Sequence, residues 1–210
     1  MKIGALFDLD GVLIDSEMEY TRIWDEIESV HPTGIRNFPL VIKGTTLPHI
    51  LDTYFPDEPV RSHVVEMLYE RENTMEYRPI CGAIDFLDAL AEAGIPMAIV
   101  TSSAKDKMEN VYRQLPGFRE RFAAIVTSAD VTKSKPDPQG YNLAARRIGC
   151  EPQWCCVFED SFSGLEAGRR AGGRVVGLAT TNSASSLEGK ADLVINHFRE
   201  MTVDILNALF

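Results

Sequence analysis

Two aspartates stand where the first apolar run ends, in Phe7-Asp8-Leu9-Asp10-Gly11-Val12-Leu13-Ile14-Asp15. Residues two apart in extended chain face the same side, so Asp8 and Asp10 can address one ligand while Leu9 packs away from it. Carboxylates that close repel unless a cation stands between them, and a hard ion with oxygen ligands such as Mg²⁺ is the natural third party. Later apolar runs end in further polar groups. Thr101, Ser102 and Ser103 follow 95–100, Lys135 lies in Ser134-Lys135-Pro136-Asp137-Pro138 beyond 123–127, and Glu159, Asp160 and Ser161 follow 155–158.

These runs must be strands of one sheet if their ends are to meet. Residues 3–7 read as a buried parallel strand, and after Gly82 such strands alternate regularly with helices. Helix faces are marked by Ile84, Leu87, Leu90 and Ala91, by Met108, Val111, Tyr112 and Leu115, and by Tyr141, Ala144, Ala145 and Ile148. A fourth helix spans about 164–171, and short strands at 174–178 and 191–195 complete the alternation. This is the pattern of an α/β fold with a doubly wound parallel sheet, whose strands present their carboxyl ends along one ligand-binding edge.

Residues 16–78 break the alternation. Tyr20, Ile23, Trp24 and Ile27 make one helical stripe with Ser16 as its cap, Leu47, Ile50, Leu51 and Tyr54 a second, and Val64, Met67, Leu68 and Met75 a third. The expected organisation is a small all-α cap domain, 16–78, inserted into a core of 1–15 and 79–210. The insertion holds twelve acidic and six basic residues, read mainly as a solvated face. Arg36, Lys43 and His49 could line a substrate pocket, although surface placement is the first expectation for each.

Composition narrows the partners. A net charge of −10 argues against nucleic-acid backbones and anionic membranes, so an anionic substrate would be captured locally. No run approaches a membrane span, no signal-peptide core precedes Asp8, and Cys81, Cys150, Cys155 and Cys156 form no metal-ligand spacing. A cytoplasmic monomer with buried free thiols at Cys155 and Cys156 is the expectation.

The set of motifs resembles the haloacid dehalogenase-like hydrolases, in the branch of β-phosphoglucomutase and phosphoglycolate phosphatase. Asp-x-Asp-Gly-x-x-x-Asp matches the first signature, Thr101 the second, Lys135 in Lys-Pro-Asp-Pro the third, and Glu159-Asp160-Ser161 the fourth. The resemblance covers about 1–15 and 79–196, and the insertion lies where that branch carries its helical cap. It implies Asp8 as nucleophile forming an aspartyl-phosphate and Asp10 as general acid and base. Mg²⁺ would be held by Asp8, the Asp10 carbonyl and Asp160, with Glu159 supporting that shell. Thr101, the Ser102 backbone and Lys135 would bind phosphate.

A mutase and a phosphatase can share this core. Where β-phosphoglucomutases have a His, this chain has Tyr20, and their Gly-x-Ser-Arg segment aligns with Gly44-Thr45-Thr46-Leu47. Tyr20 and Leu47 fall on apolar helix faces and read as packing residues. The expectation is hydrolysis of a small phosphorylated metabolite such as a sugar or polyol phosphate. Phosphomutase and inorganic pyrophosphatase are the alternatives, with a non-catalytic binding protein behind them.

Overall fold

A computed structural model describes residues 2–43 and 45–210, Glu17 through its backbone alone. In chain order the elements are β1 (Gly4–Phe7), α1 (Glu17–Val30), α2 (Phe38–Val41), α3 (Leu47–Tyr54), α4 (Glu58–Thr74), α5 (Ala83–Glu92), β2 (Met97–Val100), α6 (Lys105–Gln114) and β3 (Ala124–Val126). They continue with α7 (Gln139–Arg147), β4 (Cys155–Glu159), α8 (Phe162–Ala171), β5 (Arg174–Leu178), α9 (Ala184–Leu187), β6 (Leu193–Ile195) and α10 (Val203–Asn207). The six strands form one sheet in the order β3-β2-β1-β4-β5-β6, and every neighbouring pair is parallel. The strand order reverses beside β1, and such switch points open a crevice beyond the carboxyl ends.

The strands are apolar throughout because helices cover both faces. Ala5, Phe7, Cys156 and Phe158 face α5, α6 and the C-terminal segment, with Phe86, Leu87, Met108, Phe198 and Leu206. Leu6, Cys155 and Val157 face α7, α8 and α9, with Tyr141, Ala144, Leu165 and Leu187. Phe7 centres the first layer. Its ring stacks on Phe158 at 4.6 Å and meets the edges of Phe86 and Phe122 at 6.4 Å.

Helices α1 to α4 enclose a separate apolar cluster of Ile23, Trp24, Ile27, Phe38, Ile50, Phe55, Val64 and Leu68. Pro39, Pro48 and Pro59 each occupy the first turn of α2, α3 or α4, where a backbone N–H has no intrahelical acceptor to reach. The two crossings between this cluster and the sheet lie side by side, with the Asp15 amide donating to the Arg78 carbonyl at 2.8 Å.

Several local expectations change. Ser16 precedes α1 but makes no side-chain cap bond; its hydroxyl is turned toward Asp10, to which it donates. Met75 lies beyond the end of α4 and packs into the sheet's own core. The short helices α2 and α10 had no clear stripe. Gly44, aligned above with a mutase segment, lies outside the described residues. The thiols of Cys150, Cys155 and Cys156 are buried and free, while Cys81 is exposed. Among the described residues no helix is long and apolar enough to cross a membrane.

Phe7 is fully buried beneath the site. Phe7→Ala is expected to lower unfolding free energy by about 3–5 kcal/mol, read by urea titration.

Candidate active site

Asp8 directly follows β1, and its amide donates to the Phe158 carbonyl of β4 at 3.0 Å. That bond extends the strand pairing by one residue and fixes the Asp8 carboxylate at the sheet's edge. Thr101 follows β2, while Glu159 ends β4 with Asp160 beside it. Lys135 arrives on the loop before α7. Its ammonium donates to Asp8 Oδ1 at 2.5 Å, to Glu159 Oε1 at 2.5 Å and to the Val100 carbonyl at 3.2 Å.

Glu159 is fully buried and its acceptors are occupied. Oε1 accepts from Lys135 and from the Tyr141 hydroxyl at 2.8 Å, while Oε2 accepts from the amides of Asp160 and Ser161 and from the Ser161 hydroxyl. Burial alone would raise its pKa, but Lys135 and these donors hold it below the ordinary carboxylate value. Gly164 makes this possible. A β-carbon there would lie 1.8 Å from Glu159 Oε1.

Asp8 is poised differently. Burial pushes its carboxyl up to about 7, opposed by Lys135 and reinforced by the charges of Glu159 and Asp10. The carboxylates of Asp8, Glu159 and Asp160 are buried and place oxygens within 4.8 Å of one another. One lysine faces several acids, and an all-oxygen donor set fits a hard divalent cation. With Glu159 engaged by its own donors, Asp8 and Asp160 are the carboxylates suited to hold the ion. Gly11, at φ +73°, leaves the room. A β-carbon on it would stand 2.1 Å from Asp160 Oδ2.

The Asp10 side chain, given the acid–base role above, is held at both of its oxygens. Oδ1 accepts from Ser16, while Oδ2 accepts from Ser103 at 3.0 Å and from the Lys107 ammonium at 2.5 Å. Desolvation opposes ionisation of Asp10, but Lys107 and the two hydroxyls keep its pKa below the usual value. Lys107 itself is only 3% exposed and lies 4.1 Å from the centre of the Tyr20 ring. The Tyr20 hydroxyl donates to Glu72 Oε1 at 2.5 Å. A chain of contacts therefore runs from Asp10 through Lys107 and Tyr20 to Glu72 on α4.

Lys107 and Glu72 were missed in the sequence. Lys107 read as a polar position beside the apolar stripe of α6. Glu72 was counted among solvated acids, yet it continues the buried row Val64, Leu68, Glu72 on α4. Tyr20 does pack against both apolar clusters, but its ring and hydroxyl also serve this polar chain.

A cavity of about 140 Å³ joins these groups, lined from the sheet by Asp8, Asp10, Thr101, Ser102, Ser103, Lys107 and Asp160. Helices α1 to α4 and their loops contribute Tyr20, Trp24, Ile42, Lys43, Leu47, Ile50, Leu68, Tyr69 and Glu72. Of the three cations considered in the insertion, Lys43 reaches this lining, whereas Arg36 and His49 are exposed. Thr101 is 5% exposed, and its hydroxyl accepts from the Ser103 amide at 3.0 Å. The loop after β5 braces the far wall. Thr180 donates to the Gly11 carbonyl at 2.5 Å and Asn182 to the Asp160 carbonyl at 2.8 Å.

This fold agrees with what is found among known proteins. The family model described as haloacid dehalogenase-like hydrolase matches residues 4–172. The chain belongs to that family. Validoxylamine A 7'-phosphate phosphatase of Streptomyces hygroscopicus subsp. limoneus is 30% identical over 94% of each chain. Hexitol phosphatase A of Escherichia coli is 30% identical over 95% of this chain and 93% of its own. A family IA, variant 3 hydrolase from Entamoeba histolytica superposes with a TM-score of 0.84 at 26% identity, covering 100% of this chain and 99% of that one. A β-phosphoglucomutase from Clostridium difficile shares the fold, with a TM-score of 0.83 at 21% identity over 100% and 97% of the two chains.

Two substitutions test the internal supports. Gly164→Ala is expected to displace Glu159 and lower stability by several kcal/mol, on the order of 3, as a paired buried charge loses its donors. Lys107→Met is expected to destabilise by about 3–5 kcal/mol, because it leaves Asp10 without its cation. Thermal and chemical unfolding read both.

Proposed function

We propose that the chain is a phosphatase of small phosphorylated metabolites, with sugar and polyol phosphates foremost. The observation that carries this reading is a buried aspartate at the switch point of a parallel sheet, opening on a small cavity and backed by Lys135, Glu159 and Asp160. The named activities of the Streptomyces and Escherichia coli relatives, a validoxylamine phosphate phosphatase and a hexitol phosphatase, support the substrate class.

The mechanism follows from the size of the barrier. Enzymes accelerate phosphate monoester hydrolysis by up to about 10²¹-fold, whereas one general acid supplies about 10²–10⁴-fold. A covalent route together with charge stabilisation is therefore needed. Asp8 attacks phosphorus, the bond to the leaving oxygen breaks, and an aspartyl-phosphate forms; water then displaces phosphate from it. Lys135, the Thr101 hydroxyl and the Ser102 amide stabilise the transferring phosphoryl oxygens.

Asp10 handles the protons. In its resting ion pair with Lys107 it is a carboxylate, the form that accepts a proton from the attacking water in the second step. An entering phosphate opposes that negative charge and favours the protonated form, which donates to the departing alkoxide in the first step. Asp8, the Asp10 carbonyl and Asp160 would hold Mg²⁺, with Glu159 orienting Lys135 and the backbone around it. When bound, that ion supplies positive charge against the repulsion between carboxylate and phosphate.

Residues 16–78 act in this reading as a cap over a core of 1–15 and 79–210, supported by the adjacent crossings at Asp15 and Arg78. The mutase alternative is less well supported, because Leu47 presents an apolar side chain to the cavity and Tyr20 is committed to Glu72.

Free phosphate should appear from sugar or polyol phosphates with Mg²⁺ and cease with chelator. Asp8→Asn should lower turnover by at least about 10³-fold. Wild-type turnover in that variant would remove Asp8 as the nucleophile.

A further inference from the structure

Beyond Asp10 the polar chain continues through Lys107 and Tyr20 to Glu72, groups that phosphoryl transfer does not itself require. Glu72 is 7% exposed, on the buried side of α4, and lines the same cavity as Asp8. Its Oε1 accepts from Tyr20, and no hydrogen bond to its Oε2 is made by a described residue. Lys107 stands nearby, but its ammonium is hydrogen-bonded to Asp10 and lies over the Tyr20 ring. Asp10 and Glu72 set two carboxylates against one ammonium on this wall, with burial raising the Glu72 pKa and Lys107 drawing it back. Around it the lining is aromatic and aliphatic, from Trp24, Ile50, Leu68 and Tyr69. Lys43, the cation that α1 to α4 and their loops bring to the lining, belongs to the segment after α2.

We infer that Glu72 selects the substrate class at this site, admitting monophosphate esters of uncharged, hydroxyl-rich leaving groups and rejecting esters that carry a second anion. The inference rests on the phosphatase reading for the location of the phosphoryl group. A carboxylate or second phosphate at the far end of a substrate shares this cavity with Glu72, and low-dielectric walls strengthen their repulsion. A hydroxyl can instead donate to Glu72 Oε2, a charge-assisted bond that an anion cannot make. The apolar rings suit the C–H faces of a sugar or polyol carbon chain. The same wall opposes a bisphosphate, which a mutase must hold.

Sorbitol 6-phosphate and 6-phosphogluconate make a clean pair, since they differ at the far end by a primary alcohol against a carboxylate. Calorimetric Kd values are measured in Mg²⁺ buffer in the Asp8→Asn background, where neither ligand turns over, with Glu72 intact and with Glu72→Gln. Intact Glu72 should favour sorbitol 6-phosphate by at least roughly tenfold. Glu72→Gln keeps an acceptor for Tyr20 and should bring the ratio to within about threefold, chiefly by tightening 6-phosphogluconate. Equal Kd values with Glu72 intact, tighter binding of 6-phosphogluconate through Lys43, no binding of sorbitol 6-phosphate, or an unchanged ratio in Glu72→Gln would each overturn the inference. Should the Glu72→Gln chain not fold, the ratio measured with Glu72 intact decides. Wild-type phosphate release is assayed separately. Preserved binding selectivity without release would defeat the hydrolytic reading alone, and release with equal affinities would defeat the selectivity alone.

Discussion

A lysine between two buried carboxylates is the contact on which the site depends. Lys135 brings Asp8 and Glu159 together where little water can solvate any of them. Buried charges persist only when paired and fully hydrogen-bonded, and the surrounding chain meets that condition piece by piece. Tyr141 donates from α7, the amides of Asp160 and Ser161 donate from the start of α8, and Gly164 withholds a side chain from the space Glu159 fills. Glu159 is satisfied by these groups, whereas burial raises the Asp8 pKa against the pull of Lys135, and the charges of Glu159 and Asp10 add to that rise. The same lysine thus serves two neighbouring acids whose pKa values move in opposite directions.

The second carboxylate links chemistry to recognition. Asp10 is gripped by Ser16 at the entry to α1 and by Ser103 and Lys107 from the sheet side. Through Lys107 and Tyr20 it is in contact with α4. Helices α1 to α4 therefore do more than roof a cavity. They supply the aromatic face beneath a buried ammonium and a buried acid, Glu72, on the cavity wall.

The sheet and its functional edge were legible because parallel strands are buried on both faces, which makes them short unbroken apolar runs with polar groups at their ends. Asp8, Thr101, Lys135, Glu159 and Asp160 could all be found this way, and the structure gathers them at one edge. Lys107 escaped because a lysine one residue from the apolar stripe of α6 looks solvated, and its partner lies 97 residues away in the chain. Glu72 carried a signal that charge counting obscured, namely its four-residue spacing from Leu68 and Val64. Ser16 looked like a cap from its place before the helical stripe, yet its hydroxyl is turned to donate to the Asp10 carboxylate and accepts no helix amide. Helix α2 is a single turn begun by Asn37 in the left-handed region, too short for periodicity to reveal.

The bonds from Thr180 to Gly11 and from Asn182 to Asp160 also bear on the order in which the molecule can be made. The first spans 169 positions in the chain, and β1 needs β4 as well as β2 beside it. Contacts so distant cannot form early during synthesis from the N-terminus, and their loop-closure entropy is met only when the late strands arrive. A nascent chain lacking β5 and the loop beyond it has Asp8 synthesised yet no back wall to hold Gly11 and Asp160. The edge is thus completed only once residues 180–182 have been made, so a chain truncated before them would carry Asp8, Asp10 and Asp160 without the brace that aligns them.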